Sequence, residues 1–218
     1  GTVWTGGSSG SIDVSKVWAD GSDSITGLAA HNNFLIIFGK RQILVYQGAS
    51  DPATMSLADT VVGIGCVARD SIQSTGNDLL FLSDSGVRSF ARTIQEKSIP
   101  ITDVSKNIRS QLDGYVLSET GHITSVYSPE DAFYLLQLPT SRQTYCFDTR
   151  TPLQDGSYRA TIWNSINPQC MMRSIDGDLH LGKELGVARY RGYDDNGSPY
   201  QMSYFTNYLD FGAPSNLK

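Results

Sequence analysis

Chemistry in this chain would have to come from three histidines, a few paired carboxylates and serine-rich turns. His31 stands beside Asn32 and Asn33, in a run that reads as a solvated hairpin turn. His180 sits between Leu179 and Leu181 and points away from their face, at a polar or blade-edge position. Neither these two nor His122 has a partner at HxH or HxxxH spacing, so the pattern that builds a zinc site is missing. Asp20-Gly21-Ser22-Asp23, Asp176-Gly177-Asp178 and Asp194-Asp195-Asn196-Gly197 cluster oxygen donors as calcium loops do. Each lacks the closing Glu and the alternating ligands of an EF-hand. Asp-Gly and Asn-Gly accept positive φ, so the same residues read as turns. Asp155 and Ser157 read as loop residues after Pro152.

Gly6-Gly7-Ser8-Ser9-Gly10 resembles a phosphate loop only in its glycines. It lacks the Lys, and no helical pattern follows it. A glycosidase needs two carboxylates converging on one bond. Asp78, Glu130 and Asp131 are the candidates, and all three fall in hairpin turns. These absences argue against an enzyme: the expectation is no catalytic residue, no metal and no cofactor, with any binding residues unassigned.

The positioning elements are strands. Charged residues make up only 18% of the chain, while Gly and Tyr are abundant, which suits many short strands and tight turns. Lys and Arg number 17 against 22 Asp and Glu, a net charge of −5. A tight nucleic-acid binder needs a basic surplus to neutralise phosphates, so any encounter with DNA is expected to be loose. No run approaches the ~20 apolar residues of a membrane helix. There is no signal peptide, and the chain opens at Gly1 without Met, so it reads as a piece of a longer polypeptide. Cys66, Cys146 and Cys170 are odd in number and lie in strand-like runs, which predicts three buried free thiols.

One strand-turn-strand unit recurs four times. Its central strands begin at Phe34, Leu79, Phe133 and Leu179. The spacings are 79 − 34 = 45, 133 − 79 = 54 and 179 − 133 = 46. A period of about 40–50 residues with three or four strands per unit is a propeller signature. The first strands are expected at 25–30, 66–69, 125–127 and 170–172. Arg159–Trp163 and Tyr200–Asp210 are expected as the outer strands of units three and four. The long second spacing predicts a helix from Asp103 to Leu112. Asp103 would be its N-cap, Gly114 its stop, and Val104, Ile108 and Leu112 its apolar stripe. The fold class is therefore all-β and propeller-like, about four blade units with one short helix, standing alone or as part of a larger propeller. A twisted sandwich built from the same hairpins is the alternative. Residues 1–24 read as a leading segment or partial blade, 25–212 as the propeller-like domain, and 213–218 as the start of a linker or further domain.

Several stretches together carry a family resemblance. They are Ile25 to Ala30 with Phe34 to Gly48; Ile64-Gly65-Cys66-Val67-Ala68-Arg69-Asp70-Ser71-Ile72 followed by Leu80 to Val87; the helical run Val104 to Leu112; and Tyr208-Leu209-Asp210-Phe211-Gly212. They resemble the tail nozzle (tail tubular) and packaged-DNA stabilisation propeller proteins of short-tailed phages. The resemblance implies a structural role in the virion. Copies of the chain would form a ring below portal and adaptor proteins, close the channel on packaged double-stranded DNA, and let it pass loosely on ejection. It implies no catalytic residues. The chain is too short for a complete nozzle subunit. A propeller that binds a protein or carbohydrate is the competing reading.

Overall fold

The structure is a computed structural model of the 218-residue chain. It describes residues 12–51, 53–97, 103–192, 197–199 and 201–203. Among the described residues, fourteen strands form four antiparallel sheets, each a simple meander, which we call blades 1 to 4.

Blade 1 contains β1 (Ile25–His31), β2 (Phe34–Gly39), β3 (Gln42–Gln47) and β4 (Ser56–Val62). Its first turn is two residues long, with Asn32 and Asn33 at φ 49° and 64°. Asn tolerates the left-handed region better than other non-glycine residues, and two positive φ values are what a tight hairpin with native twist requires. Blade 2 contains β5 (Gln73–Ser74), β6 (Leu79–Ser83) and β7 (Gly86–Ser89). The helix α1 (Phe90–Glu96) follows β7 directly and packs on β6 and β7, where blades 1 and 3 have a fourth strand. Blade 3 contains β8 (Thr124–Ser128), β9 (Phe133–Leu138), β10 (Gln143–Asp148) and β11 (Arg159–Ile162). Blade 4 contains β12 (Cys170–Arg173), β13 (Leu179–Lys183) and β14 (Gly186–Arg189). The four central strands begin at the positions the repeat predicts.

The blades stack in chain order, because alternate residues of each central strand serve opposite seams. Ile36, Phe38, Ile43 and Val45 of blade 1 meet Leu79 and Phe81 of blade 2 and Phe90 of α1. Leu80, Leu82 and Val87 on the other face of blade 2 meet Tyr134, Leu136, Tyr145 and Phe147 of blade 3. Phe133, Leu135 and Cys146 on the other face of blade 3 meet Leu179 and Leu181 of blade 4. Each such side chain contributes about 1.5–3 kcal/mol on burial. The free face of blade 1 is covered by Val14, Val17 and Trp18 from the leading segment, against Ile37, Leu44 and Tyr46. None of these four clusters joins blade 4 back to blade 1. The architecture is a series of propeller-like blades, and the sequence-based fold class stands.

Several expectations are corrected in detail. Residues 66–69 do not form the first strand of blade 2. The Cys66 thiol donates to Ala68 O at 3.0 Å, and the Ser71 hydroxyl donates to the same oxygen at 2.6 Å. These local bonds close a 3₁₀ turn, Arg69–Ser71, and delay the strand to Gln73. The expected Asp103–Leu112 helix becomes a 3₁₀ turn, Lys106–Ile108, leading into α2 (Arg109–Ser118). Asp103 is no cap: its buried carboxylate is taken by the Arg109 guanidinium and by the Ser105 hydroxyl. Gly114 lies inside α2, not at its end. The stripe itself holds, with Val104 and Leu112 fully buried and Ile108 half-buried. α1 is a second short helix beyond the one expected; Ser89 caps it, accepting from Arg92 N–H at 3.2 Å. Cys66 and Cys146 are buried but Cys170 is exposed, because it lies on the outer face of the last blade; all three are free. The strand expected at Tyr200–Asp210 lies outside the described residues except for 201–203, which join no sheet.

Candidate functional site

The first strands of the blades lie toward one another. β8 runs beside β12 and β5, and the 3₁₀ turn Arg69–Ser71 fills the space between β1 and β8. The path into that turn is set by Gly65. A Cβ there would overlap Gly39 O and the Lys40 backbone, so only glycine lets the connector cross the β2–β3 hairpin. Cys66 N–H then donates to Gly39 O at 2.8 Å.

The turn is a junction for three blades. Ser71 is buried, and its hydroxyl accepts from Leu82 N–H at 3.0 Å in blade 2. Its carbonyl accepts from the buried Tyr134 hydroxyl of blade 3 at 2.8 Å. Ser125 of β8 donates to Asp70 O at 2.7 Å, and Gln73 returns a bond to Ser125 O at 3.2 Å. Burial raises the Tyr134 phenol and the Cys66 thiol, so both stay protonated.

Above this junction opens a cleft of about 570 Å³. Thr26, Val67 to Asp70, Asp84, Val116, Leu117, Glu119 and Gly121 to Ile123 border it. Its one charge cluster centres on Asp70, which accepts from Arg69 Nε at 2.9 Å and lies 2.7 Å from His122 Nε2. The Arg69 hydrogen bond, then the Arg69 and His122 charges, hold the Asp70 carboxyl below its ordinary value against some desolvation. Glu119 is also lowered. Burial pushes it up, but this is outweighed by bonds from Thr140, Gly121 and Ser141, whose N–H groups its carboxylate collects at 2.8–3.4 Å. These carboxylates are occupied with holding loops in place. The apolar rim, Val67 and Leu117, is exposed.

A second polar cluster lies under α2. The wholly buried Arg88 donates from Nε to Ser83 Oγ at 3.2 Å and from Nη2 to Ser85 Oγ at 2.7 Å. Desolvation lowers its guanidinium, and Asp103, Asp84 and Asp113 oppose that. Desolvation likewise raises Asp113. The link to α2 runs beside it: Val87 N–H donates to Ser105 Oγ at 3.0 Å, Ser105 Oγ donates to the Asp103 carboxylate at 3.3 Å, and Arg109 of α2 donates to that carboxylate from Nε at 2.9 Å.

The residues weighed for chemistry are spread through the blades. His31 ends β1 and meets the edge of the Phe90 ring; His180 lies in β13 with Nδ1 3.2 Å from Asp178 O. Asp23 accepts from Arg41 N–H at 2.9 Å and Lys40 N–H at 3.1 Å, securing the β2–β3 turn. Asp20 is tied to Gln42 through its N–H, and Asp178 pairs with Arg189 beside the Asp176-Gly177 turn. Asp155 takes Ser157 N–H at 3.0 Å and Lys106 Nζ at 2.8 Å. Asp78 accepts from Ser89 Oγ at 2.5 Å and from Ala91 N–H at 2.9 Å, at the start of α1. Glu130 pairs with Arg173, and Asp131 accepts from Ser128 Oγ at 3.0 Å. Asp78, Glu130 and Asp131 are therefore spent on separate turns. Among the described residues no three His, Cys, Asp or Glu side chains gather as a metal site would need. No helix among them is long and apolar enough to cross a membrane. Asp194 to Asn196 and Gly6 to Gly10 lie outside the described residues. The His122–Asp70 pair was not legible in the sequence: the residues are 52 positions apart and share no motif.

No protein-family model matches the chain, and no curated protein does. Among solved structures it is similar to one titled "AfRom2 CNH domain", at 12% identity and a TM-score of 0.37. That likeness covers 75% of this chain and 50% of the other, so the chain spans half the length of that structure.

Proposed function

We propose that this chain is a structural module of a short-tailed phage tail. Copies of it form a ring below the portal and adaptor proteins, which retains packaged double-stranded DNA and conducts it during ejection. It works in the virion and not as an enzyme. The observation that carries this reading is the part played by residues 64–72. The stretch whose residues carry the resemblance to the tail nozzle propellers also carries the junction that ties blades 1, 2 and 3, through the buried Cys66 and Ser71. A structural role suits a segment whose hydrogen-bonding groups are spent on neighbouring blades.

The charge balance supports a conduit. Each Lys or Arg engaged with phosphate releases counterions and adds affinity, which would brake moving DNA. A chain with five more acids than bases (22 − 17) offers little such grip. Salt screens the residual repulsion within about 8–10 Å. The expected result is that the purified chain binds a duplex no tighter than about 10⁻⁶–10⁻⁴ M at physiological salt, the range of non-specific contacts. Nanomolar duplex binding would overturn the conduit.

A propeller that captures a protein or carbohydrate is the second reading, favoured by the cleft above residues 67–70 with its exposed Leu117. Under that reading Leu117→Asp abolishes capture of the partner while leaving thermal stability unchanged. Under the conduit reading ring assembly does not respond to it.

A further inference from the structure

We propose that Asp113 makes α2 a proton-tightened clasp on blade 2: the helix holds least firmly when this carboxylate is ionised and grips when the carboxylate takes up a proton. The inference goes beyond the ring reading and stands or falls without it.

α2 reaches blade 2 in two ways. One is apolar: the buried Leu112 and the half-buried Val116 pack with Leu80, Leu82 and Val87. The other is the polar chain from Val87 N–H through Ser105 and Asp103 to Arg109. Beside that chain, five charged side chains act on one another. They are Arg88 of β7, Asp84 of the β6–β7 turn, Asp103 ahead of α2, and Arg109 and Asp113 within it. Asp84, Asp103 and Asp113 outnumber Arg88 and Arg109, so the cluster carries a carboxylate that no guanidinium inside it offsets.

The hydrogen bonds show which carboxylate is left over. The buried Asp103 accepts from Arg109 through both Nε and Nη2, and from Ser105 Oγ at 3.3 Å. Asp84 accepts from Ser85 Oγ at 3.2 Å. Asp113 accepts no hydrogen bond among the described residues, and its Oδ1 is buried without a partner. Arg88 offers it charge but no hydrogen bond: Nε and Nη2 are spent on Ser83 and Ser85, and the buried Nη1 has no partner either.

An ionised carboxylate can only accept, so burying one of its oxygens away from any donor penalises the charged form; the protonated group is neutral and can donate. Desolvation is the largest influence on Asp113 and raises it. Arg109 and Arg88 pull the other way, Asp103 and Asp84 add to the rise, and the net direction is upward. A folded value above the unfolded one gives a definite sign. The stability of the clasp is complete below the unfolded value of about 4 and is lost as pH rises through the folded value. Val116 and Leu117 lie three and four residues on, along the same helix face, and both border the cleft. The cleft wall is therefore the part that firms as the proton binds.

Carboxyl NMR on the 218-residue chain with ¹³C-labelled aspartate reads the group directly, its signal assigned by its loss in Asp113→Asn. Asp113 should titrate above the ordinary aspartate range. Asp113→Asn keeps the shape and never ionises, so its urea midpoint should exceed that of wild type at pH 7, with the gap closing toward pH 4. Hydrogen exchange, corrected for its intrinsic pH dependence, should protect the wild-type α2 amides more at pH 4 than at pH 7, relative to those of β9. In Asp113→Asn that regional change should be absent. An Asp113 that titrates at or below the ordinary range, or an Asn variant less stable than wild type at pH 7, would overturn the proposal. Either would mean that the carboxylate is held ionised, as by an ordered water shared with Arg88 Nη1. Protection of α2 that ignores pH while Asp113 titrates would overturn the clasp as well.

Discussion

Removing one hydroxyl should reveal whether the 3₁₀ turn at Arg69–Ser71 ties the blades together. Tyr134 is fully buried, and its hydroxyl donates to Ser71 O at 2.8 Å. Tyr134→Phe keeps the ring in the seam and opens no cavity. It removes the donor and leaves a buried carbonyl short of a partner, at a cost of about 1–2 kcal/mol. For a chain of 150–250 residues that lowers the melting temperature by about 2–8 °C. Tyr134→Ala also removes the ring from between blades 2 and 3 and should cost about 3–5 kcal/mol. Both are measured by urea denaturation, with midpoints shifted at constant slope. Burial raises the phenol's pKa, so it stays protonated and the Phe deficit should be the same at pH 6 and pH 9. An unshifted Tyr134→Phe midpoint, or a deficit that changes across that range, would refute the reasoning.

Leu136 lies fully buried between blades 2 and 3, so Leu136→Ala should cost about 2–5 kcal/mol in the same denaturation assay. Ellman titration should find one reactive thiol in the native protein, Cys170, and three once it is denatured without reductant. Burial pushes the Cys146 thiol up to about 12 and raises Cys66 as well. Asp70 is held below its ordinary value by Arg69 first and then His122. Its contribution to stability is therefore present above the unfolded value near pH 4 and lost as pH falls through the lower folded value. Asp70→Asn should be less stable than wild type at pH 7, and the difference should vanish toward pH 2 in thermal melts.

What was legible in the sequence was what repeats. Phe34, Leu79, Phe133 and Leu179 each open an apolar run bounded by turn residues, and each opens a central strand. Arg159–Ile162 likewise falls where an outer strand was expected. What was not legible depends on partners distant in the chain. Asp103 looks like a cap until Arg109 takes its buried carboxylate, and Gly114 looks like a stop until the helix runs through it. Residues 66–69 have strand composition, but the Ala68 carbonyl is claimed locally by Cys66 and Ser71. Cys170 sits in a strand as expected, yet the strand belongs to the last blade, whose outer face is open. The cleft was invisible for the same reason: Thr26, Asp70, Asp84 and His122 come from four separate stretches.

Electron microscopy of the virion that carries this chain tests the central claim most directly. The account predicts copies of the four-blade unit arranged in a ring around the axial channel, below the portal and adaptor. A map placing the chain outside any tail channel, or as an isolated monomer, would contradict it.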